Sequence, residues 1–204
     1  MALTSVALAT ARTLLNDDNA TMWTDAILLP KLQEAHRELQ TQLWDMNSPV
    51  VREVSSAITV ATPATSLGVS QPADLLAPTK LMETSVAGIA WVDMTEVNYL
   101  DPSLVAATTL IYWCWREEII TFVGASVSRD VKVFYRKLIT IPVAAASAIG
   151  IAFGEMYLGA RTAAFAAGSV GNKESYDALT QIANTNLDKV LKANRGRQTP
   201  MMTP

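Results

Sequence analysis

Apolar residues recur along this chain with two different periods. Over the first 46 residues the spacing is helical. Leu8, Ala11 and Leu15 share one face, and Leu28, Leu32, Ala35, Leu39 and Leu43 form a second stripe. Thr4 is placed to cap the first helix, with Leu3 and Leu8 at the two staple positions around it. Thr24 and Asp25 mark the start of the second, with Trp23 and Leu28 as its staple pair. Between them "NDDNA" (16–20) is rich in turn formers. Its acids are too closely spaced for a calcium loop, and no glycine or distal glutamate follows in register. Pro30 either kinks the second helix or marks its true start.

From about Val50 to Ile141 the period shortens, and prolines, glycines and β-branched residues become frequent. "AITVATPATSLG" alternates locally and contains a proline, as an edge strand and its turn would. Lys80–Ser85 and Ile89–Met94 read as hairpin arms about a "VAG" tip. Asp101 and Pro102 suit the cap and first position of a short helical turn. Residues 109–115 and 119–123 are dense in aromatic and β-branched types and flank "REE", which predicts a pair of strands. A helix through 103–123 is the alternative, since no proline interrupts it after 102. A third strand is expected over 131–141.

Pro142 then opens a third long helix, expected to run to about Ala167. Ile149, Phe153, Met156 and Ala160 make one stripe. Ala146, Gly150 and Gly154 make another, a row of small residues spaced by four that would let a second backbone approach closely, either an internal helix or another copy of the chain. "GSVGN" breaks the pattern, without the spacing of a phosphate loop, and Asn172 caps a last helix. Its apolar face is Tyr176, Leu179, Ala183, Leu187 and Val190; Asn184, Thr185, Asp188 and Lys192 are polar positions; it ends near Asn194. The expected fold is therefore α+β. Residues 1–48 and 142–194 form a helical bundle, 49–141 a β-rich insert, and 195–204 an extended arm.

Composition narrows the chemistry. The chain has 204 residues, half of them apolar and 17% charged, enough for a sizeable core. Its one cysteine, Cys114, excludes an internal disulfide and fits folding in a cytoplasm. The N-terminal residues lack the basic and long apolar regions of a signal peptide. The uncharged run 138–154 is alanine-rich and interrupted by Pro142, Ser147 and Gly150, which suits a buried helix better than a membrane span. Net charge is −3, yet residues 189–204 carry Lys189, Lys192, Arg195 and Arg197 with no acid, so the other 188 residues sum to −7. A basic end on an acidic body suits an acidic partner, although bases also complement the end of a helix dipole.

No catalytic signature stands out. The one histidine, His36, sits just off its helix stripe between Glu34 and Glu38, which alternate with it and share no face; a solvated side chain is expected. Cys114, within an aromatic strand, reads as a buried thiol rather than a nucleophile. Neither metal-ligand spacing nor a dinucleotide fingerprint occurs, so no metal or cofactor is expected and an enzyme is not the expected class. Lys132, Arg136 and Lys137 near the aromatics suggest base stacking, but Glu117, Glu118 and Asp130 dilute the field, and tryptophans in a sheet are usually core.

Three stretches together carry a family resemblance. "WTDAILLPKLQEA" is similar to the early helix of tailed-phage head–tail connector proteins. "SQPADLLAPTKLMET" resembles their "PAD" turn and following strand. "VKVFYRKLITIP", an alanine-rich segment, "GN" and an amphipathic helix ending in "NRGRQ" complete the order. Pro30 and the long aromatic strand pair depart from that pattern. The resemblance implies a non-enzymatic head–tail adaptor of the virion neck, made in the host cytoplasm and forming a ring, commonly of twelve copies, beneath the portal. It implies four kinds of partner: the portal, identical subunits, a downstream neck or tail protein, and DNA passing through the channel without specific binding. No membrane is involved. The C-terminal residues Lys192, Arg195, Arg197, Gln198, Met201 and Met202 would then form a portal-docking arm, with arginines on portal acids and thioethers in shallow apolar pockets. The alternative is a DNA-binding packaging accessory using Lys192, Arg195 and Arg197, with steeply salt-dependent affinity.

Overall fold

The computed structural model describes residues 3–101, 103 and 105–195. The described chain is mixed α+β, with four α-helices and two sheets. It divides into two compact units. One uses the chain up to Val51 and again from Ile139 onward, and the other is Arg52–Leu138.

The first unit holds all four helices: α1 (Thr4–Leu14), α2 (Asp25–Asp45), α3 (Gly154–Ser169) and α4 (Lys173–Ala193). α3 touches each of the other three. Ten of its sixteen residues are buried, six of them alanine or glycine on positions 159–167, so backbones pack closely around it. From α2, Leu28, Leu32, Ala35, Leu39 and Leu43 are fully buried, in the register their spacing predicts. Each buried leucine contributes roughly 2 kcal/mol. α2 runs through Pro30 in its second turn, where the ring leaves the Ala26 carbonyl without its usual donor.

The loop between α1 and α2 is organised by one side chain. Asp17 accepts backbone N–H bonds from Trp23 at 2.6 Å and from Thr21 and Met22 at 2.9 Å. Those bonds, the one from Trp23 foremost, hold its carboxyl below the ordinary range. Asn16 and Ala20 bracket it in the left-handed region.

The third helix departs from expectation. It begins at Gly154 rather than Pro142, and residues 142–153 are irregular. The carbonyls an alanine-rich helix would use internally are taken by α1 instead. Ser147 O accepts from both Thr4 N (2.9 Å) and Thr4 Oγ1 (2.8 Å), and Ala145 O accepts from Ser5 N (2.8 Å). These bonds satisfy orphan donors of the α1 N-terminus. Thr4 is accordingly the buried first residue of α1 and not its side-chain cap, since Leu3 occupies the N-cap. Phe153, at φ +59°, turns the chain into α3.

The described residues of the second unit form eight strands: β1 (Arg52–Val54), β2 (Ile58–Val60), β3 (Leu75–Ser85), β4 (Val92–Asp93), β5 (Thr95–Glu96), β6 (Tyr112–Arg116), β7 (Ile119–Phe122) and β8 (Arg129–Lys137). β8 is the spine of the larger sheet. β3 pairs antiparallel along one side of it, β1 and β2 share the other, and β4 lies beyond β3. In the smaller sheet β6 pairs parallel with β5 and antiparallel with β7. Leu81, Trp113, Ile120, Phe122, Val131 and Val133 form the core of this unit.

Residues 112–122 are thus strands and not a helix, as their aromatic and β-branched content predicts. The hairpin between them turns at Glu117 and Glu118, both at positive φ, as a two-residue hairpin loop of this hand requires. Gln71 Nε2 braces that turn by donating to Glu118 O at 2.8 Å. At Asp101, expected to cap a short helical turn, the carboxylate accepts the Ser103 N–H at 2.8 Å, the bond a side-chain cap makes; Pro102 and Leu104 lie outside the described residues.

Candidate functional site

The residues singled out at the end of the chain are reached through α4. Asn172 caps it by accepting from Ser175 N, and Leu179, Ala183 and Val190 are buried along the expected face. Lys192 is exposed in the last turn, where it complements the helix dipole, and Arg195 is exposed just beyond. Arg197, Gln198, Met201 and Met202 lie outside the described residues.

Asn194 pins the end of α4. Its Nδ2 donates to Ala152 O (3.0 Å) and Val190 O (2.8 Å), and its own carbonyl accepts from Ser48 Oγ (2.8 Å). The side chain adds a second donor to the Val190 carbonyl, which already accepts the Asn194 N–H at 2.9 Å. It also ties α4 to the segments before α3 and after α2. Whatever follows Arg195 therefore leaves from a fixed point.

Beside that point lies an open cleft of about 370 Å³, lined by Phe153, Glu155, Met156, Asn186, Lys189 and Ala193. Phe153 and Met156 are 66% and 50% exposed, although both belong to the stripe expected to be buried. Phe153 lies outside the helix, and Met156 on its solvent side; of that stripe Ile149 and Ala160 are buried, and only Ala160 does so from within α3. One oxygen of Glu155, Oε2, is buried with no hydrogen-bond partner among the described residues. Lys189 Nζ reaches Asn186 Oδ1 at 3.4 Å.

The close-packing row Ala146, Gly150 and Gly154 is not a helix face. Ala146 is exposed in a turn, Gly150 is exposed in a bend, and Gly154 is the first residue of α3. Capture of the intervening carbonyls by α1 removes the helix that would have aligned them. Close backbone approach occurs instead at Gly159, where an added Cβ would lie 2.7 Å from Thr10 Cβ and 2.9 Å from Ala7 O. The signal for it was present in the sequence. Gly159, Ala163 and Ala167 are spaced by four, as are Ala7 and Ala11 on the facing helix.

His36 also departs from expectation. It is fully buried on α2, and neither ring nitrogen has a hydrogen-bond partner among the described residues. Burial, with a smaller contribution from the Arg37 charge, pushes its pKa down to about 4, so the ring is neutral at physiological pH. Nearby, Glu38 is engaged by Arg161 of α3.

Cys114 is buried, with Sγ 2.9 Å from Thr121 Oγ1. Trp113 is core and Trp115 is half-buried. Trp91 is covered by the Lys132 ammonium at 4.3 Å from the ring centre, a cation–π contact within the protein. Among the described residues no group of three or more His, Cys, Asp or Glu is arranged to hold a metal ion. Nor is any described helix long and apolar enough to cross a membrane.

Fold and site together define a mixed α+β protein with a pinned, cationic helix end beside an open cleft. No protein-family model and no curated protein matches this chain.

Proposed function

We propose that this protein is a structural head–tail adaptor of a tailed phage, a helical bundle carrying a β insert that assembles as a ring beneath the portal. The supporting observation is the end of α4. Three hydrogen bonds of Asn194 hold it in place, and Lys192 and Arg195 are exposed there. An arm that must bear load between two assemblies needs a rigid root, and cations at that root suit acidic side chains on a partner. The resemblance to head–tail connectors supplies the partner: the portal, with identical subunits alongside and a neck or tail protein below. An acidic body suits a channel wall, because DNA must slide past without being held through its phosphates.

The test is co-purification with portal rings of the same phage, using the full chain and a chain lacking residues 195–204. The full chain is expected to bind and the shortened chain to lose binding while keeping its helical circular dichroism. Full binding by the shortened chain overturns the docking arm. Salt-dependent binding to duplex DNA, abolished by Lys192→Ala, Arg195→Ala and Arg197→Ala together, would assign a packaging role instead.

A further inference from the structure

The cleft beside α4 brings exposed apolar side chains and a carboxylate together in one concavity. Phe153 is a bulky residue held at positive φ, a conformation such residues rarely adopt, and it exposes its ring rather than burying it. Met156, one turn into α3, exposes its thioether on the same cleft. Glu155 also lines the cleft, and one of its carboxylate oxygens, Oε2, has no hydrogen-bond partner among the described residues. An exposed aromatic, an exposed thioether and an unsatisfied carboxylate in one concavity describe a seat for a segment with soft apolar side chains and a cation.

The chain itself supplies such a segment. Ala193 lines the cleft, and the residues beyond Arg195 read Gly-Arg-Gln-Thr-Pro-Met-Met-Thr-Pro. Arg197 follows Ala193 by four residues, a reach of up to ~14 Å of chain, and Met201 and Met202 follow a few residues later. A segment tethered at the cleft wall competes at an effective concentration of about millimolar, well ahead of a second copy at ordinary dilution.

We propose that the cleft formed by Phe153, Glu155 and Met156 seats the chain's own residues 197–204, with the Arg197 guanidinium on the Glu155 carboxylate and the Met201 and Met202 side chains against Phe153 and Met156. Asn186 and Lys189, which also line the cleft, provide polar edges for the intervening Gln198 and Thr199. The seat does not depend on the adaptor reading. A tail that seats here without portal binding, and portal binding without a seat, are separately observable.

The test uses the full chain with methyl-labelled methionine and a nitroxide on Thr203→Cys. Cys114 is buried, and the wild-type chain taken through the same labelling is the blank. The expected result is loss of the Met156 methyl signal at every protein concentration. The signal should return when Met201→Ser and Met202→Ser are added, and return in part with Glu155→Gln. An unchanged Met156 signal overturns the proposal. So does a loss that grows with concentration and passes from a nitroxide-bearing chain to an unlabelled one, since that assigns the cleft to a second copy.

Discussion

Arg161 grips Glu38 with two parallel bonds, Nε to Oε2 at 2.7 Å and Nη2 to Oε1 at 2.9 Å, joining α3 to α2. The same guanidinium donates from Nη1 to Thr180 of α4 at 3.3 Å and lies over the Phe165 ring. Tyr157 donates to Glu38 Oε2 at 3.3 Å, and burial first, then the carboxylate, keeps its phenol protonated well above the ordinary range. One charged side chain therefore registers three helices. Arg161→Ala is expected to cost about 1–2 kcal/mol, because it leaves a part-exposed carboxylate with the Tyr157 hydroxyl but no charged partner. Glu38→Gln should cost less, since the amide still accepts one bond. Urea unfolding of both single variants and the double variant checks this. Additive losses would show that the pair is not coupled.

His36 makes stability depend on acid. Its native pKa is about 4, against an ordinary 6.5. Above 6.5 the ring is neutral folded or unfolded, and its contribution is fully present. As pH falls from there, the unfolded chain takes up a proton that the native state refuses, so stability declines until the native ring also protonates near 4. The loss amounts to about 3 kcal/mol. His36→Leu should remove that part of the pH dependence and leave stability near neutral pH equal or higher, since two unpartnered nitrogens disappear from the core. Urea midpoints for both proteins across that window provide the check, and parallel pH profiles would refute it.

Gly159 is where α1 and α3 come closest. Gly159→Ala gains about 1 kcal/mol of helix propensity. It also drives a methyl to 2.7 Å from Thr10 Cβ and 2.9 Å from the Ala7 carbonyl, neither of which is the far end of a flexible side chain. Overpacking of this kind costs about 1–3 kcal/mol, so a net loss in thermal stability is expected. Gly150→Ala is the contrast. Its methyl would meet only Ile139 Cγ2 at 3.0 Å, on an exposed bend, and its effect should stay within about 0.5 kcal/mol of neutral.

Much of the local structure was legible in the chain. The leucine stripe of α2, the Asn172 cap and apolar face of α4, and the aromatic strand pair β6–β7 follow from periodicity and residue type, which depend on neighbours a few positions away. The candidate site was legible only in part. Lys192 and Arg195 are exposed at the end of α4, as an amphipathic helix running out predicts. The cleft beside them was hidden, because it requires Phe153 and Met156 to face outward, against their apolar character.

By itself, the sequence determined which segments could be helix or strand, because those preferences arise within a turn or a pleat. Tertiary structure alone decided where α3 starts and that His36 is sealed from water. Each of these turns on segments far apart along the chain. The carbonyls of Ala145 and Ser147 could serve a helix of their own or the first N–H groups of α1, and only the folded arrangement delivered those donors, more than a hundred residues away in sequence, to within hydrogen-bond distance.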